Sequence, residues 1–459
     1  MDVLVFAALL AVIVLAAVPY GTADAWWISA LECAIFGIAG LWFFRVLLGG
    51  AVNLRGLFLI VPLVLITGYA FIQIVPWGMV TSTTGGLTIV RPRTISIDPY
   101  QTYLTALKAL ALTLFLGLLL VETNSARRLR WLVGTIIGLG VASALFGLVR
   151  QVLQSETSPR GFLLPYLFGG TGYGQFISPN VFSYLMEMSL ALVAGLIVGG
   201  AVRRNRLLVY ITLGLLIWAA LVLSNSRGGI LSLACQFVFM LYVSLSWYAA
   251  RKAAAEDGAP RWLEVLRTSS LVRVAVIVLM VAILLAGVFW IGGNRLASKT
   301  ATSGGDIEGA TRGEIWSASW RLIKEHPVTG VGFGAYFLAI PRHQVGAGRL
   351  RVEQAHNEYL DIVANGGFIA LGIALWFIVT LIWRVRKPLK SRDAFRRAAA
   401  LGAVAGLLDV GVHSAVDFGL QVASIAVVFL ALIVIAVADE RVEKPSRRKL
   451  TGIPASPGV

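Results

Sequence analysis

Residues 354–371 read QAHNEYLDIVANGGFIAL, and they mark the point where a long polar loop turns into an apolar helix. From Gly292 to Ala355 the chain carries its only extended hydrophilic segment. From Tyr359 onward, Leu360, Ile362, Val363, Phe368, Ile369 and Leu371 begin a run long enough to cross a bilayer. His356, one of four histidines in the chain, stands at that boundary. Imidazole is the side chain best suited to exchange a proton near neutral pH. Its placement at a membrane surface leaves two readings, a chemical group or an interfacial polar residue capping a helix.

The rest of the chain repeats the same apolar length. Of 459 residues, 58% are hydrophobic and 14% charged, with a mean hydropathy of +0.82. A soluble protein cannot cover that much apolar surface, whereas runs of about 20 apolar residues match about 30 Å of hydrocarbon. The expectation is an all-α, polytopic integral membrane protein. Its spans are about twelve, at roughly 3–18, 27–48, 56–75, 102–121, 131–149, 179–200, 207–223, 229–249, 271–291, 358–382, 397–412 and 419–437. Residues 1–440 form one transmembrane domain with a large loop, 292–357, between spans nine and ten; 441–459 read as a short cytoplasmic tail. No Lys or Arg precedes the first span and no small-x-small site follows it, so it reads as a span rather than a signal peptide.

The net charge of +16 is distributed by topology. Of 39 Lys and Arg, 25 fall in the loops of one side and 13 on the other, with Lys108 inside a span. The positive-inside rule puts both termini in the cytoplasm and the long loop outside. A nucleic-acid partner is therefore not expected. Two cysteines without a CxxC argue for neither a disulfide framework nor a zinc site, and no HExxH or DxD run is present. The sequence calls for no metal and no cofactor.

Several polar residues stand out against this background. Lys108 lies two turns into a span, where a charge faces a polar cavity or snorkels to the interface. Glu187, in SYLMEMSLAL, faces the bundle interior by position. In LVLSNSRGGILSL only Ser224–Gly228 separate two spans, which puts Arg227 at the outer mouth of the bundle beside the capping residue Ser226. A guanidinium beside helix N-terminal amides suits phosphate, and a snorkelling Arg in a hairpin turn explains it equally. Gly228 and Gly229 allow backbones or a ligand to approach. In the long loop, TRGEIWSASWRLIKE has the spacing of an amphipathic helix on the membrane surface. Arg312 begins that helix, Pro327 stops it, and GVGFGAY makes a flexible exit. His326 reads as structural, and His343 sits in a basic cluster with Arg342, Arg349 and Arg351. His413 and Asp417 are four apart at the last outer turn, a spacing at which a carboxylate can orient an imidazole or merely cap a helix.

In order along the chain, SNSRGGIL, TRGEIWSASWRLIKEHPVTGVGFGAY and HNEYLDIVANGGFIALGIAL resemble the O-antigen ligase and O-antigen/exopolysaccharide polymerase family. The likeness is strongest over about 220–375; QFISPNVFSYLMEM and HSAVDFGL add to it. The resemblance implies a metal-independent glycosyltransferase of the GT-C type in the bacterial inner membrane, with its site on the periplasmic face. Its donor would be a glycan on undecaprenyl diphosphate, and its acceptor lipid A–core or a second lipid-linked glycan. By the same resemblance His356 is the general base and Arg227 and Arg312 bind the diphosphate, with Asn357 and Tyr359 of HNEYL alongside. Ser226, His413, Asp417 and Lys108 are further candidates. Where exopolysaccharide-type members carry an NRNH-like run, this chain has Ser178-Pro179-Asn180-Val181, which puts a role for that segment in doubt. The competing reading is a multi-pass solute or anion transporter. Transporters place ionisable residues near the midplane, and here only Lys108 and Glu187 fit that pattern.

Overall fold

The computed structural model describes residues 2–18, 20–49, 57–84, 87–154, 172–253, 260–292, 312–343 and 352–438. All twelve apolar runs fold as helices: α1 (Asp2–Ala16), α2 (Ala25–Leu47), α3 (Val61–Gln73), α4 (Pro99–Glu122), α5 (Ala126–Leu153), α6 (Pro179–Val198), α7 (Leu207–Leu223), α8 (Arg227–Ala253), α10 (Ser270–Gly292), α13 (Glu358–Val385), α14 (Ala394–His413) and α15 (Ala423–Val437). Short α9 (Arg261–Thr268), α11 (Arg312–Glu325) and α12 (Tyr336–Ala339) lie between them. Eight helical segments among the described residues are long and apolar enough to cross a membrane; α1, α3 and α15 are shorter apolar helices. α14 differs because it carries Arg396, Arg397 and Asp409.

Polar residues set the helix starts. Asp98, Ser125, Ser178, Asn357 and Asp393 each accept a backbone N–H of the turn they precede, and Pro follows at N1 of α4 and α6. The bundle is built on α6, which packs most extensively on α14. Small residues bring these two close: a side chain on Gly195 would overlap the Gly402 backbone. Without a hydrophobic drive between helices in lipid, such close packing is what holds them. α15 is buried along its whole length, while α10 is exposed along nearly all of its own. Where α2, α4 and α5 meet, the buried Glu122 is paired by Arg45 at 2.9 Å and Arg128 at 2.8 Å.

The outer segment before α4 holds a hairpin: β1 (Met79–Thr84) and β2 (Leu87–Pro92) pair antiparallel, Met79 opposite Pro92 and Thr84 opposite Leu87. Its signal was present in the β-branched runs on either side of Gly85-Gly86, a hairpin signature. The GVGFG run is not a flexible exit. Val331 and Gly332 donate to the carbonyls of Ala364 and Asn365 at 3.0 and 2.9 Å, and Gln73 Nε2 bridges Thr329 and Asn365. The clamp works because α13 is interrupted at Gly367 (φ 63°), where a Cβ would overlap the Val328 carbonyl and only glycine fits. α11 forms as its spacing predicts, but Ala318, Leu322 and Ile323 are buried in a small protein core with Tyr336 and Val363, and Ile315 is buried as well. Its apolar face is therefore covered by protein rather than lying free on a membrane. The tail 441–459, Arg349 and Arg351 lie outside the described residues.

Candidate active site

Asp417 is the point on which the polar residues converge. α14 ends at His413, and the chain turns through Ser414–Val416 before Asp417, so the two residues are not one helical turn apart. The carboxylate lies 3.7 Å from His356 Nδ1 and 3.8 Å from Arg312 Nη2. Asn180 Nδ2 donates to its other face, and the Phe418 N–H donates to Oδ1 at 2.9 Å. Burial opposes ionisation of Asp417, but His356 and Arg312 outweigh it and hold the carboxyl at about 2. It is a carboxylate throughout the physiological range.

His356 is presented by unusual backbone. It is one of four described non-glycine residues with positive φ, at 49°, a conformation that costs about 1–2 kcal/mol and is retained where surrounding contacts fix it. Those contacts come from both sides. Ala355 N–H donates to Asp361 at 3.4 Å, while Asn357 accepts from the Tyr359 and Leu360 amides and donates to the Ala415 carbonyl at 2.8 Å. The ring stands edge-on to Phe418, centroids 4.8 Å apart. Nδ1 closes no hydrogen bond among the described residues. Tyr359 is half exposed and donates to the Gly411 carbonyl at 2.7 Å, which makes it an anchor between α13 and α14.

The SNSRGG run enters the same cluster through Asn180. Buried Ser226 donates to Asn180 Oδ1 at 2.8 Å and accepts the Gly229 amide at 3.1 Å. Arg227, the next residue, opens α8 and is half-buried. Asn180 thus bridges Ser226 and Asp417, a role not visible in Ser178–Val181 as a run. The two glycines admit protein, not ligand: a Cβ on Gly228 would overlap the His413 ring, and one on Gly229 would come within 2.8 Å of Ser183.

The structure also separates residues that spacing had joined. His413 does not pair with Asp417. It is fully buried, stacked on Tyr184 at 3.9 Å, and its Nδ1 lies 2.7 Å from Glu187 Oε1. Sequence reading found Glu187 in the interior but not its partner, which is 226 residues away. Lys108 lines a polar cavity rather than snorkelling, and donates to the Gln421 carbonyl at 3.2 Å. His343 lies 3.4 Å from Glu325 and its carbonyl accepts Arg321, so it ties the end of the loop to α11. His326 is exposed and away from the cluster.

Chemically, the cluster offers an imidazole backed by a buried carboxylate, with the Arg312 guanidinium beside it. Residues 212–377 match the family model described as O-Antigen ligase. No curated protein matches the chain. The matched segment contains Arg227, Arg312 and His356 but ends before His413 and Asp417 and begins after Asn180.

Proposed function

Because the chain carries an O-antigen ligase family domain in a polytopic membrane bundle, we propose that it is a GT-C-type glycosyltransferase. It moves a glycan from undecaprenyl diphosphate to an acceptor hydroxyl, without a metal, on the periplasmic face of the bacterial inner membrane. The observation that carries this is the convergence of His356 and Arg312, 44 positions apart in the long loop, on Asp417.

His356 turns Nδ1 toward the Asp417 carboxylate, which favours the Nδ1–H tautomer and leaves Nε2 as the base. Nε2 takes the proton of the acceptor hydroxyl as its oxygen attacks the anomeric carbon. The bond from that carbon to the diphosphate oxygen breaks, and undecaprenyl diphosphate leaves with the electron pair. Arg227 and Arg312 bind the diphosphate and stabilise the charge it gains, a role in which each is worth roughly 3 kcal/mol. Asp417 stays ionised and stabilises the imidazolium, as the carboxylate does in a hydrolytic triad. Ser226 and Asn180 hold Arg227 and Asp417 in one framework, while Asn357 and Tyr359 fix the loop that presents His356. The residues that suggested solute transport have partners inside the bundle, Glu187 with His413 and Lys108 with Gln421.

The test is transfer by purified protein in detergent from an undecaprenyl-diphosphate-linked glycan, with neither nucleotide nor divalent metal. One tube receives lipid A–core and the other no second acceptor. Glycan on lipid A–core identifies a ligase, and a ladder of lengthened lipid-linked products a polymerase. His356→Ala should abolish transfer while the protein remains monodisperse; retained turnover removes His356 as the base.

A further inference from the structure

Beside the His356 cluster lies a cavity of about 550 Å³, within the range of about 300–1,000 Å³ usual for small-molecule sites. Gln354 and Glu358, two residues either side of His356, line it, and so do Leu420 and Gln421, just past Phe418. His356 itself, Arg227 and Arg312 do not. The cavity is therefore a separate compartment beside the His356 cluster, with neither arginine in its wall.

Its lining carries three acidic side chains, Glu353, Glu358 and Asp361, and one basic one, Lys108. It offers no guanidinium fork to a diphosphate, which disfavours the donor's anionic end. One polar atom in the wall is buried and unmatched. Glu358 is 6% exposed, and its Oε1 completes no hydrogen bond among the described residues. The Gln421 side-chain amide faces Asp361 across the cavity wall. A buried acceptor left open is costly unless a ligand takes it, and a hydroxyl can donate to it. The rings of Phe333, Tyr336 and Phe337 supply flat apolar wall, which suits the C–H faces of a sugar. Exposed Glu353 stands at the rim, giving access from solvent. Asp361 also accepts the Ala355 amide, so the wall of the cavity and the loop presenting His356 share one carboxylate.

We propose that this cavity is the acceptor site, and that it takes an uncharged, hydroxyl-rich sugar whose reacting hydroxyl reaches His356. The assignment rests on the transferase reading above. Its test is steady-state transfer by the full-length protein, varying donor and acceptor separately, together with binding of undecaprenyl diphosphate alone. The acceptor is lipid A–core or a second lipid-linked glycan, whichever supports turnover. Gln421→Leu removes the side-chain amide from the wall and keeps the backbone carbonyl that holds Lys108. It should raise acceptor KM about tenfold, the equivalent of one lost hydrogen bond to a buried group, with donor KM and undecaprenyl diphosphate affinity unchanged. Gln101→Ala, on another wall of the cavity, is the second variant should the first not purify as a monodisperse species. An unmoved acceptor KM overturns the acceptor assignment alone, and a raised donor KM gives the cavity to the donor glycan instead. Wild-type protein that neither transfers nor binds undecaprenyl diphosphate overturns the transferase reading, and the acceptor assignment with it.

Discussion

Asp417→Asn removes the charge beneath His356 while keeping the side chain's shape, so its effect isolates electrostatics. The carboxyl is held at about 2 against an ordinary 3.8, a net gap worth about 2.5 kcal/mol that remains after its cationic neighbours have offset the cost of burial. A unit charge pair at the His356–Asp417 separation of 3.7 Å is worth about 4.5 kcal/mol at an effective dielectric of ~20. That figure ignores the 21% exposure of the His356 side chain, so the smaller, net number sets the scale. If His356 claims between half and all of it in the imidazolium state, kcat falls between about ten- and sixtyfold. The assay is single-turnover transfer by wild type and variant at saturating donor and acceptor, with thermal unfolding to confirm that both are folded. Donor KM should not rise, because Arg312 loses a competitor for the diphosphate. A variant within twofold of wild-type kcat would refute the view that Asp417 supports the base.

Arg227→Lys should lower transfer at least tenfold, because a point charge does not replace a bidentate fork on phosphate; a variant with wild-type rate shows that Arg227 does not grip the diphosphate. Gly228→Ala should cost about 3 kcal/mol or more, since the added methyl meets the fully buried His413 ring; an unchanged unfolding temperature would mean that α8 and α14 are not in contact there. The Asp417 carboxyl lies below its unfolded value, so its contribution to stability is complete above about pH 4 and is lost as pH falls through 2. The stability difference between wild type and Asp417→Asn should therefore be largest above pH 4 and close toward pH 2, measured by tryptophan fluorescence during thermal unfolding. A difference that persists at pH 2 would assign it to shape rather than charge.

By itself the sequence determined the helices, because hydrophobic length and local capping are short-range properties. Apolar runs of bilayer length are legible without knowledge of their neighbours, and Asp98, Ser125, Ser178, Asn357 and Asp393 act on amides two or three residues away. The motifs carrying Arg227, Arg312 and His356 were legible too, since each is contiguous. The pairing of charges was decided only by the tertiary structure. Spacing of four joined His413 to Asp417, yet α14 stops at His413, so the helical rule behind that pairing does not apply across the turn. The carboxylate that meets the His413 ring comes from α6, and Asp417 is freed to face His356, 61 positions back along the chain. Asn180 bridges Ser226 and Asp417 across 46 and 237 residues. The Lys108 cavity likewise needs α4, α12, α13 and the turn before α15 together. Such contacts depend on which helices the bundle makes neighbours, and that is a property of the packed chain rather than of any segment within it.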